Sequence, residues 1–125
     1  MASAAAHLQQ ARENRALARH LLTLDSEDLR PAALRWAVVV AFYTSVHCMD
    51  AYLAGRGFTP SSHRSRAAMM SNAGIPDAEY TAHEQLQQLS LHARYLLRSF
   101  TSEYVQSVVM DGYLRTVTAF VRLED

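Results

Sequence analysis

With 125 residues, half of them hydrophobic, the chain can build one domain around a real core but not two, and its composition excludes a disordered segment. Twelve acidic residues balance twelve basic ones, which excludes a strong global field for nucleic acid; an anion site must be a local patch. The single Cys48 excludes an internal disulfide and a cysteine-rich metal site.

The basic set contains no lysine, so every permanent cation is a guanidinium, whose planar fork suits phosphate and carboxylate. Without a charged n-region and apolar h-region at the N-terminus, the expected compartment is the cytoplasm.

No stretch alternates with the period of a strand, and helical spacing dominates. A first helix is expected over residues 3–22, with Leu8, Ala11, Ala18 and Leu22 on its inner stripe. A polar linker leads to Pro31, suited to the first turn of a second helix. That helix ends at Gly55-Arg56-Gly57, where glycine supplies a left-handed cap. Ser61 or Ser62 caps a short third helix, which Gly74 and Pro76 stop. Asp77 opens a fourth helix with a core stripe of Ala82, Leu86, Leu89, Ala93 and Leu96 or Leu97. After a break at residues 99–102, a fifth helix is expected to turn Val105, Val108, Val109, Gly112, Thr116, Ala119, Phe120 and Leu123 inward. Its small residues Gly112, Thr116 and Ala119 suggest close approach of another helix. The expected fold is therefore all-α: an antiparallel four-helix bundle with one additional short helix, residues 1–125 forming a single domain.

The second helix carries the most informative stretch, WAVVVAFYTSVHCMDAYLA from Trp36 to Ala54. It is apolar on nearly every side, which marks the central helix of a bundle or half of a dimer interface. Its uncharged run, Trp36 to Met49, is 14 residues, a length that fits a buried core helix better than a bilayer crossing. At about 100° per residue, Trp36, Val40, Tyr43, His47, Asp50 and Ala54 share one stripe. A His and an Asp among aromatics need partners, because burying either one unpaired costs several kcal/mol.

Three groups of residues are candidates for chemistry. His47 and Asp50 are neighbours on the second helix, and Arg15, on the inner stripe of the first, is expected to pair with Asp50. In GRGFTPSSHRSR, residues 55–66, His63, Arg64 and Arg66 crowd a helix start whose amide groups already favour anions. On the fourth helix Tyr80, His83, Gln87, Arg94 and Arg98 form a polar stripe, of which His83 and Arg98 read as solvated and Arg94 as bordering the core. No HExxH, GxSxG or phosphate-loop motif occurs. A metal site from His47, Asp50 and His63 is the least specific reading, and no cofactor is expected.

At FYTSVHCMDAYLAGRGFTPSSHRSR, followed by YTAHEQLQQLSLHARYL, the chain resembles small bacterial HEPN-domain proteins. Trp36, Phe42, Tyr43, His47 and Ala51, then Ser62, His63 and Arg66, then Tyr80, Leu86, Ser90, Ala93, Arg94 and Tyr95 carry the likeness, which spans most of residues 8–123. The resemblance implies a helical bundle, usually dimeric, that binds nucleotide or RNA. In active members it implies a metal-independent ribonuclease working through an Arg-x4–6-His motif. Arg15 to His20 and Arg56 to His63 match that spacing. The first pair is about 140° out of phase on a regular helix, whereas the second bridges a loop.

The function expected is binding of a nucleotide or RNA phosphate, with ribonuclease activity in a defence or toxin–antitoxin type system. His47 and His63 are the expected catalytic residues and Arg64, Arg66 and Arg94 the phosphate ligands, with Tyr43, Asp50 and Arg15 in support. The alternative is a non-catalytic dimeric interaction module whose His/Asp/Arg network is structural. Expected partners are a second copy of the chain, RNA or a nucleotide, and a cognate protein; no membrane association is expected.

Overall fold

A computed structural model describes residues 2–123, and it is all-helical, with no strand among those residues. Helix α1 spans Ala4–Thr23 and α2 spans Arg30–Ala54. The short α3 spans His63–Asn72 and α4 spans Asp77–Tyr95. The last helical stretch has three contiguous pieces: α5, Ser102–Tyr104; a π-helical segment, Val105–Leu114; and α6, Arg115–Phe120.

The helix ends follow local chemistry. Ser3 caps α1 by accepting from the Ala6 amide, and Pro31 sits in the first turn of α2. Past α2, Gly57 takes φ +82° while the Gly57 and Phe58 amides donate to the carbonyls of Ala54 and Leu53. That is a Schellman closure, with its left-handed residue at Gly57. Of the two candidate serines, Ser62 is the cap of α3, in a reciprocal box with Ser65.

Helix α2 is the central element, packed against α1, α3, α4, the π-helical segment and α6. It is long and apolar enough to cross a membrane, but 72% of its most apolar window is buried inside the bundle, as in the core helix of a soluble protein. The apolar surface that suggested a dimer interface is thus largely covered within one chain.

Two apolar clusters line α2. One gathers Ala18, Leu34, Val38, Phe42, Leu86, Leu89, Val109 and Leu114; the other gathers Ala11, Met49, Leu53, Met70, Ala82 and Val117. Where the clusters meet, buried polar residues intervene: Arg15 between Ala11 and Ala18 on α1, and His83, bonded to Ser45 of α2, between Ala82 and Leu86 on α4. The core therefore has a polar waist.

Three expectations about packing are corrected. Leu96 and Leu97 are exposed, because α4 stops at Tyr95 and the backbone reverses at Leu97, φ +54°, ending the buried stripe at Ala93. In the last stretch the buried positions are Val105, Val109, Met110, Leu114, Val117 and Thr118, while Gly112 and Thr116 are only partly buried and Ala119 is exposed. Bonding to the fifth residue back puts more residues into each turn, so a stripe drawn at 3.6-residue spacing drifts off the core. A Cβ on Gly112 would meet only the Ser107 carbonyl of the same helical stretch, at 3.3 Å, so no other helix makes a close approach there. Finally, Trp36 is 56% exposed: its stripe begins at the surface, is half-buried at Tyr43 and His47, and is buried only at Asp50, where α3 covers it.

Candidate functional site

The helix α3 start folds back on α2 and delivers Arg66 to Asp50. The guanidinium donates Nε–H to Oδ1 at 2.6 Å and an Nη2–H to Oδ2 at 3.1 Å, a bidentate fork with both residues buried. Arg15 does not make the pair expected of it; its Nη1 donates to the Leu123 carbonyl at 3.4 Å, two turns along α1 from the level of Asp50. Arg66, expected to hold an external phosphate, is already committed to a carboxylate. The resulting closed pair anchors α3 on the bundle.

The same guanidinium fixes its neighbour. Arg66 Nη1 lies 2.9 Å from His63 Nδ1, and a guanidinium can only donate, so Nδ1 is the acceptor. The neutral His63 ring then carries its proton on Nε2. Burial, followed by the nearby charges of Arg66 and Arg94, holds its pKa below the ordinary value, against a smaller opposing pull from Asp50. His63 is otherwise open to solvent at the head of α3. In this state it is a hydrogen-bond donor outward.

Tyr43 and Arg94 complete that outer edge. The His63 and Tyr43 rings are 6.3 Å apart, and Arg94 lies over the Tyr43 ring at 5.8 Å and within 3.5 Å of its hydroxyl. Arg94 Nε donates back to the Ser90 carbonyl, which orients the fork along α4, and Tyr95 flanks it at 5.1 Å. Arg64 does not belong to this edge: it is exposed on α3, and its side chain makes no hydrogen bond among the described residues.

His47 is half-buried, not largely buried as its stripe implied, and its partner is a residue the sequence reading passed over. Its Nδ1 is 3.0 Å from Nδ1 of His7 on α1, so one ring donates and the other accepts. Burial first, and His7 next, lower the His47 pKa, with Asp50 pulling the other way. His7 and Asp50 also line an open cavity of about 200 Å³, together with Phe58, Thr59 and Pro60.

Two further residues were missed. His83, read as solvated, is 5% exposed, and its Nδ1 meets Ser45 Oγ at 2.7 Å. Burial, with Arg66 and His63 adding, pushes its pKa down to about 4. This Ser–His contact has nucleophile geometry but no access, since Ser45 is fully buried. A signal was available: His83 falls beside Ala82 and three residues before Leu86 on the core stripe. Arg98, also read as solvated, lies over the Phe100 and Tyr104 rings. The buried Cys48 thiol is pushed up to about 12 by burial and is inert.

Neither Arg-x4–6-His pair converges. Arg56 stacks over the Tyr52 ring at 4.0 Å while His63 turns to Arg66; Arg15 is buried and His20 is exposed. Among the described residues, no three His, Cys, Asp or Glu side chains are grouped to hold a metal ion, so His47, Asp50 and His63 do not form a ligand set. No family model and no curated protein matches this chain.

Proposed function

We propose that this bundle is a HEPN-like module that binds the phosphate of a nucleotide or RNA at the edge formed by His63, Tyr43 and Arg94. One observation carries the reading: the Arg66–Asp50 fork locks His63 with Nε2–H outward, beside the Arg94 guanidinium and the Tyr43 hydroxyl. Three donors on three helices then face a common side, with aromatic surface between them for a base or sugar. The arrangement favours binding over cleavage. A 2′-hydroxyl needs a proton acceptor, and the outward nitrogen of His63 is already protonated. His47 would be the remaining base for a ribonuclease, once released from His7.

Titrating the chain with mononucleotides and short RNAs at low salt tests this. Saturable binding is expected, weakened by about 1.5–3 kcal/mol in Arg94→Ala and by a similar or smaller amount in His63→Ala. No detectable binding would discard it.

A second reading is a dimeric interaction module, one partner of a defence or toxin–antitoxin type pair. It is favoured by the exposed Trp36, Tyr95, Leu96 and Leu97, from the start of α2 and the end of α4. Concentration-dependent sedimentation, abolished by Trp36→Ser with Leu97→Ser, would support it.

A further inference from the structure

We propose that His7 and His47 form a one-proton clasp, which holds the first two turns of α1 on α2 and lets go when a second proton is added. The clasp does not depend on phosphate binding at the His63 edge.

Its basis is the way the two rings meet. The Nδ1 atoms are 3.0 Å apart and the ring centres 5.3 Å, a difference that two nitrogen-to-centre radii fill, so the rings point at each other head-on. Two ligands of one metal ion would instead aim both lone pairs at a point beside the line between them; this contact is a hydrogen bond. In the neutral pair one Nδ1–H donates and the other Nδ1 accepts. Neither Nε2 has a hydrogen-bond partner among the described residues. A first added proton therefore goes to the free Nε2 of the donor ring, and the bond persists in charge-assisted form. A second must take the accepting Nδ1. Two N–H groups then face each other on two cations, and the bond is lost.

The surroundings do not relieve that repulsion. Among the described residues, the charged groups acting on His47 are His7 of α1, Asp50 of its own helix and Arg66 of α3. Asp50 favours a further proton, but both its oxygens are held in the Arg66 fork, and the guanidinium opposes a further cation. Beside His7, the loop residues Phe58, Thr59 and Pro60 carry no charge. The segment held is otherwise weakly anchored. Of residues 2–10 none is fully buried, only Ala4, His7 and Leu8 are half-buried, and the first buried position is Ala11. The side chains of Gln9 and Gln10 bond within α1, so His7 makes the one side-chain hydrogen bond from these turns to another element among the described residues. Release uncovers His47 and the Asp50 wall of the adjoining cavity.

The direction of the switch follows from the proton count. Freed histidines titrate near the ordinary 6.5, so below that value the open form holds one proton more than the closed form. The clasp is intact above that range and weakens as pH falls. An NMR titration of the two imidazoles in the full chain, with hydrogen exchange of the amides of residues 7–10 reporting opening, is the test. A protected Nδ1–H shared by the rings is expected to survive the first protonation and vanish with the second. Protection of residues 7–10, corrected for intrinsic rates, is expected to fall about tenfold between pH 6 and 5, the slope for one proton. That fall should persist in His83→Gln and disappear in both His7→Leu and His47→Leu, each keeping the wild-type protection around Val38. Two independent one-step titrations, or protection of residues 7–10 that does not change with pH, would overturn the proposal. So would a fall that persists in His7→Leu, or a hundredfold fall, which would mean that the closed pair accepts no proton.

Discussion

Arg66 shows how one side chain settles the roles of its neighbours. Its fork neutralises a buried carboxylate and dictates the His63 tautomer in the same stroke. Arg66→Ala is therefore expected to act first on the fold, costing about 3–5 kcal/mol by stranding Asp50, as chemical denaturation would measure. Replacing both partners, Asp50→Asn with Arg66→Leu, should recover part of that loss; a double-variant loss equal to the sum of the two single ones would mean the pair is not coupled. His83 sets the acid limit. Its folded pKa of about 4 lies below the 6.5 of an unfolded histidine, so between these values the unfolded chain holds the extra proton. The contribution is complete above pH 6.5 and is lost as pH falls toward 4, about 3 kcal/mol over the window. His47 and His63, also lowered, add in the same direction. A His83→Gln variant should unfold with a flatter pH dependence across that range; an unchanged slope would show that His83 is not the group responsible.

At the scale of elements, what could be read in advance depended on how local the determinant was. Ser3, Pro31, Ser62 and Asp77 mark their helix starts because a cap or first-turn preference acts within about four residues. Ser62→Ala, removing the bond that Ser62 Oγ accepts from the Ser65 amide while the Ser62 amide still donates to Ser65 Oγ, is expected to cost about 1 kcal/mol and to loosen His63, the first residue of α3. Thermal melts would show the first effect, and loss of the slow exchange of the His63 side-chain proton the second. The π-helical winding had no such mark: VQSVVMDGYL contains no breaker other than Gly112, and its phase drift appears only in which residues the core accepts. The candidate site was half legible for the same reason. His47, Asp50, His63, Arg66 and Arg94 stand out by composition and stripe, but their partners depend on the path of residues 55–62, which periodicity does not give. Arg15 and Asp50 both lie on inner stripes, yet antiparallel packing brings His7, not Arg15, level with the His47 turn.

Over the whole molecule, the two apolar clusters share one helix and are divided by a polar waist. Such a division could let the halves open separately, since a polar layer contributes less burial energy than an apolar one. Helix α2 opposes that, because its backbone hydrogen bonds run unbroken from Leu34 in one cluster to Leu53 in the other. The Ser45–His83 contact also satisfies the waist where α2 meets α4. The molecule is therefore expected to unfold as one unit. Phe42→Ala, a cavity in the first cluster beside the Tyr43, His63 and His83 rings, should cost about 3–5 kcal/mol. Native-state hydrogen exchange can tell where that cost falls. If α2 couples the halves, the slowest amides around Leu53 lose the same free energy as those around Val38, although Leu53 belongs to the other cluster. Protection lost near Val38 but retained near Leu53 would mean that the waist is a seam, and that the region holding Asp50 and Arg66 is stabilised independently of the bundle's other end.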